Sequence, residues 1–583
     1  RKILKAYGKQ IREESKTRSI ELLASLQAYV DENPSQVGSE VLKEIQRRID
    51  DQNYVAAEDL MNRLLSGDLE EEVLQDGEDY LAQFLDEEEY SQNIRKTAAA
   101  GTRLSALLGN TGLRNKDTRG GQRILENWIT NGMGEEKVRL LLGSLGFRVD
   151  TVEKAPPIGG TVDNYLVTLQ RPVNGRRQNY KHPIAAFGSE AEEKCFRVVC
   201  LFGRMDAGRL IDTFKEIGNA KHTLVFLDYA LTLPDRRELA RRTKTELAGK
   251  IFAVVDRVVI AFLVRHYTEQ SVNRMLMHLI MPFASYQPYV VDSANVMPQE
   301  IFIGRGAELE KIESPKGVNI VYGGRQLGKS ALLRMAKKDI DQDENGDRAI
   351  LVDVKDKDYK QAALAVSEEL FLAGIFTEEE MVTDDWNMLA RDLKRRLRDR
   401  RLPEIPYLLL MMDEADVFIE SCAEVGYMPF DALKDVQGIG TDRFKFVVAG
   451  LRNIVRFNKS KALGGNSGLA HLGDLTVKPF KSIEARQLLI EPLSYLGFRF
   501  PHNRETEVLI STILSTTNYF PGMIQLYCSK LIETMQRGYA GFAEADTPPY
   551  VVGKEQIKKV LNDEKLLEAI SDKFFVTLSD KDD

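Results

Sequence analysis

Cysteine is scarce: four residues in a chain of 583. That excludes a disulfide framework. The nearest pair, Cys195 and Cys200, has no His or Cys partner at zinc-binding spacing, so buried or idle thiols in a reducing, cytoplasmic setting are expected. Long apolar runs are missing too. The most apolar stretch, 251–264, is interrupted by Asp256 and Arg257 and falls short of the roughly 18 residues of a membrane span, so no membrane partner is expected. There is no basic surplus: 80 Lys and Arg stand against 88 Asp and Glu, a net charge of −8, so nucleic acid would need a local patch. The six histidines are scattered without metal or triad spacing. The chain opens on RKILKAYGKQ, with no initiator Met or signal pattern, and stops after KFFVTLSDKDD; it is expected to be a segment of a longer protein.

What is present is ordinary globular material, 43% hydrophobic and 29% charged, enough for roughly four domains of about 150 residues. Residues 1–100 read as a helical region, with apolar faces at Leu22, Leu26 and Val30, at Leu42, Ile45 and Ile49, and at Ala57, Met61 and Leu64. The acidic run that follows Gly67 reads as a solvated helix face. Residues 101–130, rich in Gly, Asn, Arg and Thr, read as a linker. In 131–280, the apolar runs Phe196–Phe202, Thr223–Leu227 and Phe252–Val255 alternate with helical stretches, which predicts a small, mainly parallel α/β domain. Its turn Gly203-Arg-Met-Asp-Ala-Gly208 has phosphate-loop glycine spacing but no Lys or Ser/Thr, so no nucleotide chemistry is assigned to it. Residues 281–300, with three prolines, read as a second linker.

The strongest signal follows. Apolar Val318–Tyr322 runs into Gly323-Gly324-Arg325-Gln326-Leu327-Gly328-Lys329-Ser330, and Ala331 opens a helical pattern. This satisfies G-x-x-x-x-G-K-[ST] in its strand–loop–helix context. The glycines let backbone N–H groups converge on phosphate oxygens where a Cβ would obstruct, and the helix start adds its positive dipole end. Lys329 is the candidate for neutralising the outer phosphates, and Ser330 for ligating Mg²⁺. A second element agrees. The buried-strand run Tyr407–Met412 ends in Asp413-Glu414-Ala415-Asp416, and carboxylates at the C-terminal end of a parallel strand face the ligand crevice. Asp413 is the second metal candidate and Glu414 the group that polarises an attacking water. Asp416 reads equally well as a helix cap. The next strand, Phe444–Gly450, leads to Arg452 and Asn453, the candidates for sensing a terminal phosphate; a surface turn competes for both. The letters DEAD suggest a helicase, but LRN follows where helicases have Ser-Ala-Thr, and no second motor domain is visible.

With these motifs, residues 300–570 resemble the STAND branch of AAA+-related P-loop ATPases, near the archaeal-type and origin-recognition-like members. Phe302-Ile-Gly304-Arg305, followed by Glu308-Leu309, is similar to the family's opening motif, and 475–493 resembles the turn into its helical lid. Pro521-Gly522 is similar to the lid motif whose proline helps contact nucleotide, with Tyr519 standing where the family has Gly. The resemblance implies nucleotide contact by Arg305 and Pro521, ATP and Mg²⁺ as cofactors, slow hydrolysis, a switch driven by lid rotation, and assembly into a homo-oligomer or larger complex.

The expected architecture is therefore α/β: a doubly wound parallel P-loop sheet at 301–480, with a helical lid and the start of a truncated further domain at 481–583. A smaller α/β domain and an N-terminal helical region precede it. The basic stretch Arg391–Arg401 is the place for any nucleic-acid contact, although a solvated helix offsetting nearby acids is favoured, as it is for Arg236, Arg237, Arg241, Arg242 and Lys244. The expected function is an ATP-binding, slowly hydrolysing switch in regulation or anti-phage defence. A DNA-associated AAA+-like motor or transposition-type ATPase, and a non-hydrolysing nucleotide-bound scaffold, are the alternatives.

Overall fold

The computed structural model describes residues 17, 19–31, 40–50, 54, 57, 58, 61, 79–86, 115–158, 162–170, 182–218, 220–247, 249, 251–291 and 297–342. It further describes 346–376, 382–398, 405–439, 442–451, 472–500, 504–536, 547–564 and 566–568. Among these, no helix is long and apolar enough to cross a membrane.

Two five-stranded sheets organise the chain. The first contains β1 (Val149–Ile158), β2 (Val162–Leu169), β3 (Phe196–Leu201), β4 (Thr223–Leu227) and β5 (Phe252–Val255), in that spatial order. β3, β4 and β5 are parallel, as their apolar, helix-separated runs predict, whereas β1–β2 and β2–β3 are antiparallel. The sheet is thus mixed rather than mainly parallel. Only 159–161 separate β1 from β2, too few residues for a parallel crossover.

The second sheet contains β6 (Ile320–Tyr322), β7 (Arg348–Asp353), β8 (Leu408–Asp413), β9 (Phe444–Gly450) and β10 (Asp474–Thr476), ordered β10-β6-β9-β8-β7 and parallel throughout. β8 and β9 are buried along their whole length, the continuous apolar pattern of strands covered on both faces. The chain leaves β6 for the far edge at β7, so the strand order reverses beside β6. Both acidic and glycine-rich motifs lie at the carboxyl ends, where such sheets bind ligands.

Two segments expected to be linkers are built into the fold. Asn115–Glu126 is a helix with Ile124 fully buried. Its glycines serve close packing: a Cβ on Gly120 would lie 2.1 Å from Tyr267 Cε1, and one on Gly121 3.2 Å from Val264 Cγ1. In 281–291, Met281–Phe283 form a buried turn and Tyr289 is also buried. Within the acidic run, only Tyr80–Asp86 is described; Leu81 packs with Ala240 and Phe283, so this helix is docked and not merely solvated.

The C-terminal helices Ser482–Tyr495, Arg504–Thr516, Pro521–Gln536 and Lys554–Leu561, with the parallel pair β11 (Phe498–Arg499) and β12 (Tyr550–Val551), share one apolar core with the first sheet. The second sheet has its own two cores, drawn from residues 302–477 and Phe520.

Candidate functional site

The glycine-rich loop connects β6 to the helix Lys329–Asp341, whose N-cap is Gly328. Gly328 sits at φ +88°, a left-handed conformation that a side chain disfavours. Gly323 is required for a different reason: a Cβ there would lie 2.6 Å from the Val477 carbonyl oxygen. Gln326 also has positive φ, so the loop is bent at two of its residues. Among the described hydrogen bonds, no backbone N–H from Gly324 to Gly328 is used as a donor, so these amides are available to an anion.

Lys329 is buried, and its ammonium donates to the carbonyls of Gly323 and Gly324, each at 3.0 Å. Burial lowers its pKa, while Glu414, Asp413 and Asp416 act in the opposite direction. The cation therefore lies within the field of the acidic strand end. Asp413, the last residue of β8, is buried, and its Oδ1 accepts the Glu414 N–H at 3.0 Å. Glu414 adopts φ +54°, an uncommon conformation for a residue with a Cβ and one that clusters at functional positions. Its pKa is raised by burial and by Asp413, against Lys329 and Arg325. Ser330 is half-buried at the start of the loop's helix, as is Ala331 after it. The loop amides and Lys329 suit a polyphosphate, and a hydroxyl with a buried carboxylate suits Mg²⁺; the residues fit both groups.

Other expected residues take different places. The Arg305 guanidinium is buried and directed at protein oxygens: Glu308 Oε1 at 3.0 Å, the Leu327 carbonyl at 3.2 Å and the Lys478 carbonyl at 2.6 Å, with the Phe480 ring 4.7 Å away. It braces the loop from behind. Pro521 begins its helix, with its Cγ 4.0 Å from where a Gly328 Cβ would be, and the next N–H, of Gly522, donates to the Gln326 carbonyl at 3.2 Å. Tyr519 adopts the positive φ that glycine would. Arg452 and Asn453 lie outside the described residues. Asp416, left open between cap and function, accepts the Leu451 N–H with both carboxylate oxygens, at 3.0 and 2.9 Å. It fixes the point where the chain leaves β9.

The basic stretches are largely neutralised. In Trp386–Arg398, Asp392 is buried beside Arg391 and Arg395, Lys394 pairs with Asp435, and buried Arg396 donates to the Ile375 carbonyl; 399–401 lie outside the described residues. The second stretch is not a plain solvated face. Arg236 is buried in an ion pair with Asp256, and Lys244 reaches Tyr550.

The parallel sheet ordered β10-β6-β9-β8-β7, with a glycine loop after β6 and an acidic end on β8, decides the fold. It is a P-loop NTPase sheet. No family model matches the chain, and no curated protein matches it. Among solved structures it is similar to a Walker-type ATPase of Pyrococcus abyssi (14% identity, TM-score 0.35, 50% of this chain and 78% of that one). It is also similar to the ORC2 protein of Aeropyrum pernix in ADPNP–ADP complexes (17%, 0.34, 47% and 71%) and to Drosophila ORC bound to DNA (12%, 0.29, 48% and 68%).

Proposed function

We propose that this P-loop NTPase sheet binds Mg-ATP and hydrolyses it slowly, as a cytoplasmic STAND-like switch coupling nucleotide state to lid position and assembly, in regulation or defence. One observation carries the reading: Lys329, bonded into its own loop, lies in the field of Asp413 and Glu414 across the carboxyl edge of the sheet. Two carboxylates and a buried ammonium grouped beside free amides have a common purpose in holding a metal-bound triphosphate.

The chain's own groups divide the work. The amides of 324–328 and Lys329 bind the phosphates, Lys329 exchanging its two carbonyl partners for phosphate oxygens. Ser330 and Asp413 are the residues to hold Mg²⁺, which supplies charge neutralisation on the phosphates when bound. Glu414, half-buried at the strand end, orients the attacking water and accepts its proton. Pro521 and Gly522 close the side of the loop next to Gln326.

The test is a thermal-shift titration with ATP and Mg²⁺ on wild type and Lys329→Ala. Wild type should gain about 2.7 kcal/mol at a hundredfold excess over Kd, and the variant should gain little. Equal stabilisation of both refutes the assignment. Glu414→Gln separates a switch from a passive scaffold: trapped ATP with altered assembly supports the switch. Steep, salt-sensitive stimulation of hydrolysis by DNA would instead support the DNA-associated alternative.

A further inference from the structure

The lid helices are built to be completed by the first domain. Ser482–Tyr495 carries Pro492 in its interior. Proline has no N–H, so the Leu488 carbonyl loses the partner that an i+4 residue would supply. The buried Tyr289 hydroxyl, from the segment leaving the first domain, donates there at 3.2 Å and lies 3.3 Å from the Leu489 carbonyl. A second helix, Pro521–Gln536, touches both bodies. At its start, Gly522 donates to Gln326 of the phosphate loop at 3.2 Å. One turn on, Gln525 Oε1 accepts the Val290 N–H at 3.1 Å, and Ser529 Oγ accepts from Gln287 at 3.0 Å. From Gly522 to Ser529 is about 10 Å at 1.5 Å per residue.

Further contacts tie the lid to the first domain. His278 stacks on Tyr495 with ring centroids 4.1 Å apart. Gly497 leaves no room for a Cβ, which would lie 2.9 Å from Pro282 and 3.0 Å from Pro548. Arg48 of the N-terminal helix Glu40–Asp50, which lies outside both, also donates to the lid, at Thr512 and 2.9 Å. The apolar cores of the P-loop sheet, by contrast, contain no described residue from 115–291. The chain crosses between arm and sheet at 297–305 and at 477–481, and Arg305 bonds the second crossing from the first.

We propose that the 115–291 domain and the helices of 482–561 form one rigid arm, and that nucleotide at the phosphate loop, read through Gln326 and Gly522, swings this whole arm against the P-loop sheet. The inference rests on the ATP-binding reading above and names what its switch moves: a domain that itself carries no phosphate-loop lysine.

The experiment uses the full chain with Cys195→Ser, since the other three cysteines are buried. Spin labels are placed in pairs at exposed Asp212→Cys (first domain), Ile483→Cys (lid) and Leu372→Cys (P-loop sheet). Distances are measured with and without Mg-ATP on a Glu414→Gln background that holds the nucleotide. The 212–372 distance should shift by more than the width of its distribution, and the 212–483 distance should not. A nucleotide-dependent 212–483 shift, or a fixed 212–372 distance while a fluorescent ATP analogue is measurably bound, overturns the arm. Failure of that analogue to bind wild type overturns the ATP-binding reading, and the arm's trigger with it. In Tyr289→Phe/Gln525→Ala the 212–483 distribution should broaden; an unchanged width counts against the clamp.

Discussion

The interior proline of Ser482–Tyr495 allows the joint between lid and first domain to be measured. Removing the Tyr289 hydroxyl leaves the Leu488 carbonyl buried with neither a helix N–H nor a side-chain donor. A buried polar group deprived of its partner costs about 1–3 kcal/mol, and Tyr289→Phe should destabilise the arm by that amount. Pro492→Ala changes the expectation, because residue 492 then supplies the missing N–H from within the helix. On that background Tyr289→Phe should cost less than about 1 kcal/mol, leaving a coupling of roughly 1–2 kcal/mol in the double-mutant cycle.

The two tryptophans make the assay selective. Trp128 lies in the core shared by the first sheet and the lid, and Trp386 in the core of the P-loop sheet. With Trp386→Phe, fluorescence during urea unfolding reports on the arm alone, which avoids treating a multidomain chain as one transition. Equal costs of Tyr289→Phe with and without Pro492 would refute the account, since the hydroxyl would then not be standing in for the proline's absent N–H.

Further outcomes follow from Glu414 and the buried histidines. Glu414→Gln should keep ATP binding and lower hydrolysis by at least about a hundredfold. In wild type, the rate should fall as pH drops, on a limb displaced upward because burial and Asp413 favour the protonated Glu414; a limb displaced downward counts against Glu414 as base. His278 is held neutral, its pKa lowered to about 3 by burial and Arg274 against a weaker opposite pull from Asp79 and a bond to Ser494. The unfolded arm takes up its proton below about pH 6.5, so stability is lost as pH falls from there towards 3, by up to about 1.4 kcal/mol per unit. His182, lowered by burial to about 4, adds a second such loss. His278→Phe should therefore flatten, without abolishing, the acid slope of the Trp128 transition.

How much of this was legible in the sequence depended on whether the signal was consecutive. The loop Gly323–Ser330 and the strand end Asp413-Glu414 are written as unbroken strings, because one backbone segment does each job, and a doubly wound parallel sheet followed from apolar runs alternating with helices, whereas its strand order did not. Gly120 and Gly121 were misread for a physical reason. Glycine marks both flexible linkers and places where two helices approach too closely for a Cβ, and only Tyr267 and Val264, over 140 residues away, distinguish the cases. Asp416 and Arg305 were half-legible. Their positions beside the motifs were plain, but their partners, the Leu451 N–H and the Lys478 carbonyl, are set by how β9 and β10 lie against β6 and β8. The lid's attachment to the first domain left no local trace except Pro492, a helix breaker inside a helical pattern.

The magnitudes indicate how complete a switch this chain can be alone. Moving an arm from 1:99 to 99:1 needs about 5.5 kcal/mol of differential nucleotide binding. Among the described residues, loop and arm are linked by a neutral hydrogen bond, Gly522 to Gln326, worth about 0.5–1.5 kcal/mol. The N-terminus of Pro521–Gln536, placed beside Gly328, adds about 0.3–1 kcal/mol towards an anion. Together these reach about 2.5 kcal/mol at most, somewhat under a hundredfold bias. The remainder has to come from a group that meets the terminal phosphate only when the arm is closed. Within the chain, the sequence candidates are Arg452 and Asn453, which follow the exit from β9 that Asp416 fixes at Leu451; otherwise a second molecule must supply it. A bias that stays under a hundredfold in the isolated chain and rises on assembly would assign the missing energy to the neighbour, whereas a full switch in the monomer would assign it to the chain beyond β9.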